Sequence, residues 1–158
     1  MPELPDLEVI KEYLERVLPG QRIEAAEVLR PLVVRSLVPE YTVSTLEGDT
    51  LSEVRRRGKF LLLGLESGRT IVINPMLAGR LQYCSPETRR LAKTILILRL
   101  SGGMDLRYVD PKSMGKVYLT PDENLVPRFG GQGPEALDPG FTLEVFRERL
   151  RTRHGEIK

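Results

Sequence analysis

FLLLGL-ESGR-TIVIN, residues 60–74, consists of two short apolar runs joined by a polar turn that contains a glycine. Phe60–Leu65 and Thr70–Asn74 therefore read as the two strands of a β-hairpin, with Glu66-Ser67-Gly68-Arg69 as its turn. The pattern repeats downstream, where Thr94–Leu100, Ser101-Gly102-Gly103 and Met104–Val109 form a second strand–turn–strand unit and Lys116–Leu119 a further strand. Upstream, Ile23–Leu29, Leu32–Val38 and Tyr41–Leu46 are short, β-branched and broken by Pro or Gly. Six to eight short strands at close intervals predict a mainly β fold with flanking helices, an antiparallel β-sandwich.

The two ends of the chain have a different period. Leu7, Ile10, Leu14, Val17 and Leu18 fall on one helical stripe, predicting an N-terminal α-helix over Pro5–Leu18 that Pro19-Gly20 terminates. Residues 127–140, with Gly130-Gly131-Gln132-Gly133-Pro134, read as a linker. Beyond it Thr142 is a candidate N-cap, and Leu143, Phe146 and Leu150 recur at helical spacing. The expected division is a β-sandwich domain over residues 1–130, then a linker and the first helix of a truncated helical second domain over residues 131–158.

The composition narrows the function classes. A chain of 158 residues with 41% hydrophobic content can bury a real core, and it holds no apolar run of membrane-spanning length. A single cysteine, Cys84, excludes an internal disulfide and a multi-cysteine zinc site in this chain, and a single histidine, His154, excludes a His-rich centre. Early acids and prolines replace the basic and apolar regions of a signal peptide, so the expected compartment is the cytoplasm. The net charge is only +2, but its distribution is uneven: Arg55-Arg56-Arg57 with Lys59, Arg89-Arg90 with Lys93, and Arg147, Arg149, Arg151, Arg153, His154 and Lys158 form three basic clusters. Each is either a phosphate-contacting patch or a solvated face.

The opening MPELPDLE raises a chemical question of its own. Pro2 is a small residue after Met1, of the kind that permits removal of the initiator methionine. The exposed group is then a secondary amine with a pKa near ~8 that is partly unprotonated at neutral pH. Its attack on a sugar C1′ or a carbonyl gives an iminium, an electron sink that favours elimination. Glu3 stands beside it as a general acid or base. The alternative is helix punctuation alone, in which Glu3 complements the helix dipole and Pro5 occupies the first turn, where no N–H is needed.

MPELPDLE resembles the opening of the formamidopyrimidine-DNA glycosylase and endonuclease VIII family of bifunctional repair enzymes. Three further stretches resemble family motifs in the same order: Arg56-Arg57-Gly58-Lys59-Phe60-Leu61-Leu62-Leu63, Leu106-Arg107-Tyr108-Val109-Asp110-Pro111-Lys112 and Gly133-Pro134-Glu135-Ala136-Leu137. The opening is nearer the formamidopyrimidine type. The resemblance implies a base-excision DNA glycosylase with AP lyase activity that removes oxidised purines from duplex DNA. It implies Pro2 as the nucleophile, Glu3 as the catalytic acid, and Lys59 as a lysine that contacts phosphate and supports β,δ-elimination. It also implies DNA contacts by Arg57, Lys93 and Lys112, insertion of Leu77 and Met114 as apolar wedges, no metal in this chain and a zinc finger in a C-terminal part beyond it. The expected partner is duplex DNA with oxidised bases or abasic sites, the expected state a monomer, and no membrane is involved.

Five positions depart from the family pattern. Leu77 replaces a methionine, with Met76 adjacent; Lys93 stands where many members have a histidine; Lys112 replaces an arginine; Met114 replaces a phenylalanine; and Asp6 replaces a glutamate. Lysine lacks the planar fork that reads a base bidentately, so a weaker or altered discrimination of the opposite base is expected. Two other readings remain open on the residues alone: a non-catalytic damaged-DNA-binding relic, and a tautomerase using an N-terminal proline.

Overall fold

The computed structural model describes residues 2–152 of the chain, so Arg153, His154 and Lys158 of the third basic cluster lie outside the described residues. Helix α1 (Leu4–Val17) opens the fold. Nine strands follow: β1 (Ile23–Val28), β2 (Val34–Ser36), β3 (Leu51–Arg57), β4 (Phe60–Leu65), β5 (Thr70–Asn74), β6 (Arg80–Cys84), β7 (Thr94–Leu100), β8 (Asp105–Val109) and β9 (Lys116–Thr120). Helix α2 (Leu143–Thr152) closes it, with the Thr142 hydroxyl accepting the Val145 N–H at 3.4 Å, as expected of a cap.

The strands form a four-stranded sheet in the order β1-β7-β8-β6 and a five-stranded sheet in the order β2-β9-β5-β4-β3. Both sequence-predicted hairpins are present. β4 pairs with β5 around Gly68, whose φ of +83° explains the glycine, and β7 pairs with β8 around Gly103 at +76°. The core lies between the sheets, where Leu61, Leu63, Ile71, Ile73, Ile95, Leu98, Leu106 and Val117 are buried together. Each such side chain contributes about 1.5–3 kcal/mol over its exposed state. Leu7, Leu14 and Leu18 carry the α1 stripe into the same core, and α1 packs on β3.

Two expectations are corrected. Tyr41–Leu46 is not a strand; Val43–Leu46 is a 3₁₀ turn. Hydroxyls that bond within the segment favour the turn: Thr45 Oγ1 donates to Thr42 O at 2.7 Å and Thr42 Oγ1 lies 2.9 Å from Ser44 Oγ. The sandwich is otherwise antiparallel as expected, with β2 alone pairing in parallel, to β9. The predicted Leu32–Val38 strand contracts to Val34–Ser36, since Pro31 and the turn ahead of it leave only three residues free to pair.

A second, outer cluster joins Phe60, Leu62, Val72 and Tyr118 to Val126 and Phe129. The chain that leaves β9 is thereby folded back over the outer face of the five-stranded sheet. Among the described residues, no helix is long and apolar enough to cross a membrane.

Candidate active site

The start of α1 reaches the turn between β3 and β4. Glu3 has an extended backbone (φ −92°, ψ 174°) and its N–H donates to Asp6 Oδ2 at 2.9 Å, so the shorter acid at position 6 acts as a cap. Pro5, which has no N–H, costs the helix nothing in its first turn. Leu7 is fully buried and anchors this end to the core. Pro2, Leu7, Lys59, Asn74, Pro75 and Met76 line one small cavity of about 70 Å³. Lys59 Nζ stands 3.6 Å from Glu3 Oε2, and both side chains are about half exposed (48% and 62%). Pro2, a carboxylate and an ammonium thus share an open edge of the sandwich.

The turn carrying Lys59 is held from three directions. Arg56 has a side chain only 4% exposed; its Nε lies 2.5 Å from Glu8 Oε2 of α1, its Nη2 2.5 Å from Glu135 Oε2, and its Nη1 donates to Gly58 O at 3.0 Å. Glu135 Oε1 accepts the Gly58 N–H at 2.8 Å. Gly58 adopts φ +53°, a conformation strained for other residues, and a Cβ there would lie 1.6 Å from Gln132 Oε1 and displace that side chain. Burial opposes ionisation of Glu135, yet its bonds to Arg56 and the Gly58 amide, with Arg57 nearby, hold its pKa below the ordinary value. Arg56 is the mirror case: burial lowers its pKa, and Glu135 and Glu8 more than offset that.

Two loops complete the edge. In residues 74–79, Asn74 Oδ1 accepts the Met76 N–H at 3.1 Å, Pro75 O accepts the Gly79 N–H at 2.9 Å, and Met76 takes φ +51°. In residues 110–115, the fully buried Asp110 accepts the N–H groups of Lys112 at 3.0 Å and Gly115 at 2.7 Å. The loops meet at the buried Tyr108 hydroxyl: a Cβ would lie 2.2 Å from it at Gly79 and 1.9 Å at Gly115. Burial, then the Asp110 charge, pushes the Tyr108 pKa upward.

Residues 1–117 match the family model of the formamidopyrimidine-DNA glycosylase N-terminal domain. The chain belongs to the formamidopyrimidine-DNA glycosylase family. It is 36% identical over 160 residues to the formamidopyrimidine-DNA glycosylase of Pelotomaculum thermopropionicum, covering all of this chain and 58% of that protein. It is also 36% identical over 160 residues to the one from Symbiobacterium thermophilum, covering all of this chain and 52% of that protein. The chain therefore spans little more than half the length of these relatives. Among solved structures, the Lactococcus lactis enzyme non-covalently bound to AP-site-containing DNA aligns with a TM-score of 0.83 at 26% identity, over 96% of this chain and 58% of that one. MutM in complex with DNA containing carbocyclic 8-oxo-G aligns with a TM-score of 0.82 at 27% identity, over 96% and 57%.

The residues expected from the sequence fall into four places in this family fold. Pro2 and Lys59 line the cavity, and Glu3 stands beside Lys59. Leu77, Lys112 and Met114 are exposed on the two loops joined through Tyr108, and Met76, next to Leu77, lines the cavity where Leu77 does not. Lys93 is exposed at the end of the β6–β7 connection, where its carbonyl accepts the Asp110 N–H at 3.0 Å. Arg57 is directed toward Glu135, at 3.8 Å. The sequence reading missed Arg56 as a buried hub, along with Glu8 and Asn74. Only the wide spacing of Glu8, Arg56 and Glu135 within three family motifs hinted that these charges meet.

Proposed function

We propose that this chain is the catalytic domain of a cytoplasmic base-excision repair glycosylase with AP lyase activity, acting on oxidised purines in duplex DNA. The observation that carries the reading is the grouping of Pro2 and Lys59 on one cavity, with Glu3 3.6 Å from Lys59, at the open edge of a formamidopyrimidine-DNA glycosylase fold. Removal of Met1 turns the Pro2 nitrogen from a tertiary amide into a secondary amine. The amine attacks C1′ of the damaged nucleotide and forms a C–N bond as the base departs with the electron pair and gains a proton. Glu3 protonates the sugar-ring oxygen as the ring opens, leaving an iminium on Pro2. Loss of the C2′ proton expels the 3′ phosphate, a second elimination expels the 5′ phosphate, and water releases Pro2. Lys59, beside Glu3, binds the phosphate next to the lesion and supports the eliminations. The nucleotide must leave the base stack to reach this edge, and the exposed Leu77 and Met114 fill the space it vacates.

Among the described residues, no three His, Cys, Asp or Glu side chains converge to hold a metal ion, and no step here is routed through one. The zinc finger implied by the family resemblance is assigned to sequence beyond this domain.

Borohydride trapping on a duplex with an abasic site, followed by peptide mass mapping, tests the proposal. A reduced protein–DNA bond at Pro2 is the expected result. Absence of trapping by full-length protein shown by mass to lack Met1 would leave only damaged-DNA binding.

A further inference from the structure

The connection between β6 and β7 has a topological peculiarity. β8 lies between these two strands in the sheet, so residues 85–93 must arch across the outer face of β8. Leu106 and Tyr108 point into the core, and strand alternation sends Arg107 to that outer face. Arg107 is nonetheless only 2% exposed, because the arch lies on it. Its Nη1 donates to Thr88 O at 2.8 Å and its Nη2 to Pro86 O at 3.0 Å, with Ser85 O at 3.5 Å. Nε and Nη2 both reach Asp105 Oδ2, at 3.1 and 2.8 Å, so the charge is compensated where it is buried. Asp105 also accepts from Arg99 Nε at 3.3 Å.

The arch is pinned at its other end as well, by the Asp110 N–H bonded to Lys93 O at 3.0 Å and by the Thr94 hydroxyl bonded to Leu91 O at 2.8 Å. Between the pins it exposes Arg89, Arg90 and Lys93. Arg90 lies 3.8 Å from Glu27 in a mostly exposed pair, a contact too weak to sequester it. Asp110 belongs to the loop that carries Lys112 and Met114, so the arch and the candidate DNA-facing edge share an anchor.

We propose that Arg107 is a positioning residue that fixes the 85–93 arch so that Arg89 and Arg90 extend the DNA-backbone contact expected of Lys93. A guanidinium suits the task, because its planar fork holds a carboxylate and the carbonyls of Ser85, Pro86 and Thr88 at once. Arg89 and Arg90 then neutralise phosphates outside the cavity, strengthening binding without regard to sequence. This inference rests on the reading of the protein as a duplex-DNA binder.

The test is the salt dependence of binding of full-length protein to an undamaged duplex, followed by fluorescence anisotropy. Each phosphate contact contributes about 0.9 to the slope of log K against log salt concentration. The R89Q/R90Q variant, altered only at exposed positions, should lower the slope by roughly 1.8. R107M should lower it too, and adding R89Q/R90Q to R107M should then change little. R107K, run in parallel as a variant that keeps the charge without the fork, should fall between wild type and R107M. An unchanged slope in R89Q/R90Q overturns the arch as a contact. A drop in Tm for R107M or R107K with the slope intact and R89Q/R90Q effects additive makes Arg107 a structural staple only. Wild-type protein that shows no salt-sensitive binding at all removes the DNA-binding reading itself, an outcome distinct from both.

Discussion

Glu135 Oε2 lies 2.5 Å from Arg56 Nη2 while its Oε1 accepts the Gly58 N–H, so one carboxylate from the chain beyond the sheets holds the turn that presents Lys59. The folded-state pKa of Glu135 is below its unfolded value of about 4.5, so the unfolded chain binds the proton more readily in the interval between them. The stabilisation is complete above the unfolded value and is lost as the pH falls through the lowered folded one. Glu135→Gln should cost about 1–3 kcal/mol at neutral pH and flatten the acid limb of stability. Urea unfolding midpoints from pH 3 to 7 check this. The flattening should be partial: burial opposes ionisation of Asp49, but bonds from Ser67, Thr50 and Arg69 hold its pKa low too, with the same sign.

Lys59→Met separates chemistry from folding. The Lys59 side chain is half exposed, so stability should change by no more than about 0.5 kcal/mol. Strand scission at an abasic site should slow by roughly 100-fold or more if Lys59 supports proton transfer in the eliminations. Thermal melting beside single-turnover scission rates provides the two readouts. Equal loss in both would show that the lysine serves the fold.

The contact of Gly115 with Tyr108 predicts a specific non-additivity. Gly115→Ala places a methyl 1.9 Å from the Tyr108 hydroxyl and should destabilise by about 1–3 kcal/mol. Tyr108→Phe should cost little, because among the described residues that hydroxyl has no hydrogen-bond partner. The double variant should therefore be more stable than the sum of the singles, which a denaturation cycle measures directly.

Leu7→Ala probes how rigidly the first residues are held. Leu7 is fully buried and also lines the cavity, so its truncation should cost about 2–5 kcal/mol. At a temperature where the variant remains folded, borohydride trapping at Pro2 should be slower than in wild type. Unchanged trapping would mean that the cavity edge does not depend on this anchor.

The β4–β5 and β7–β8 hairpins are legible because apolar runs and a glycine turn are local signals. Strands β3 and β6 are not: a register shift between Leu51 and Glu53 breaks the alternation of β3, and β6 is only half buried along Leu81–Cys84. Arg56 reads as a solvated charge, since burial by ion pairs with Glu8 and Glu135 depends on residues 48 and 79 positions away. The parallel pairing of β2 with β9 is illegible for the same reason, being a choice of partner rather than a property of either segment. Pro2, Glu3 and Lys59 were legible as a set only through family motifs; spacing alone left Glu3 as helix punctuation.

The sheet orders carry a consequence for biosynthesis. β1 has β7 as its strand neighbour and β2 has β9, so both edges made first on the ribosome wait for partners translated some seventy to eighty residues later. Until then these strands present unpaired backbone groups, a hazard for association with other nascent chains. Glu24 and Glu27 on β1, with Arg35 on β2, place charges on those waiting edges. The same delay means that the cavity residues at positions 59 and 74–76 reach Pro2 only after some seventy further residues have been made, so Pro2 exists well before its surroundings do.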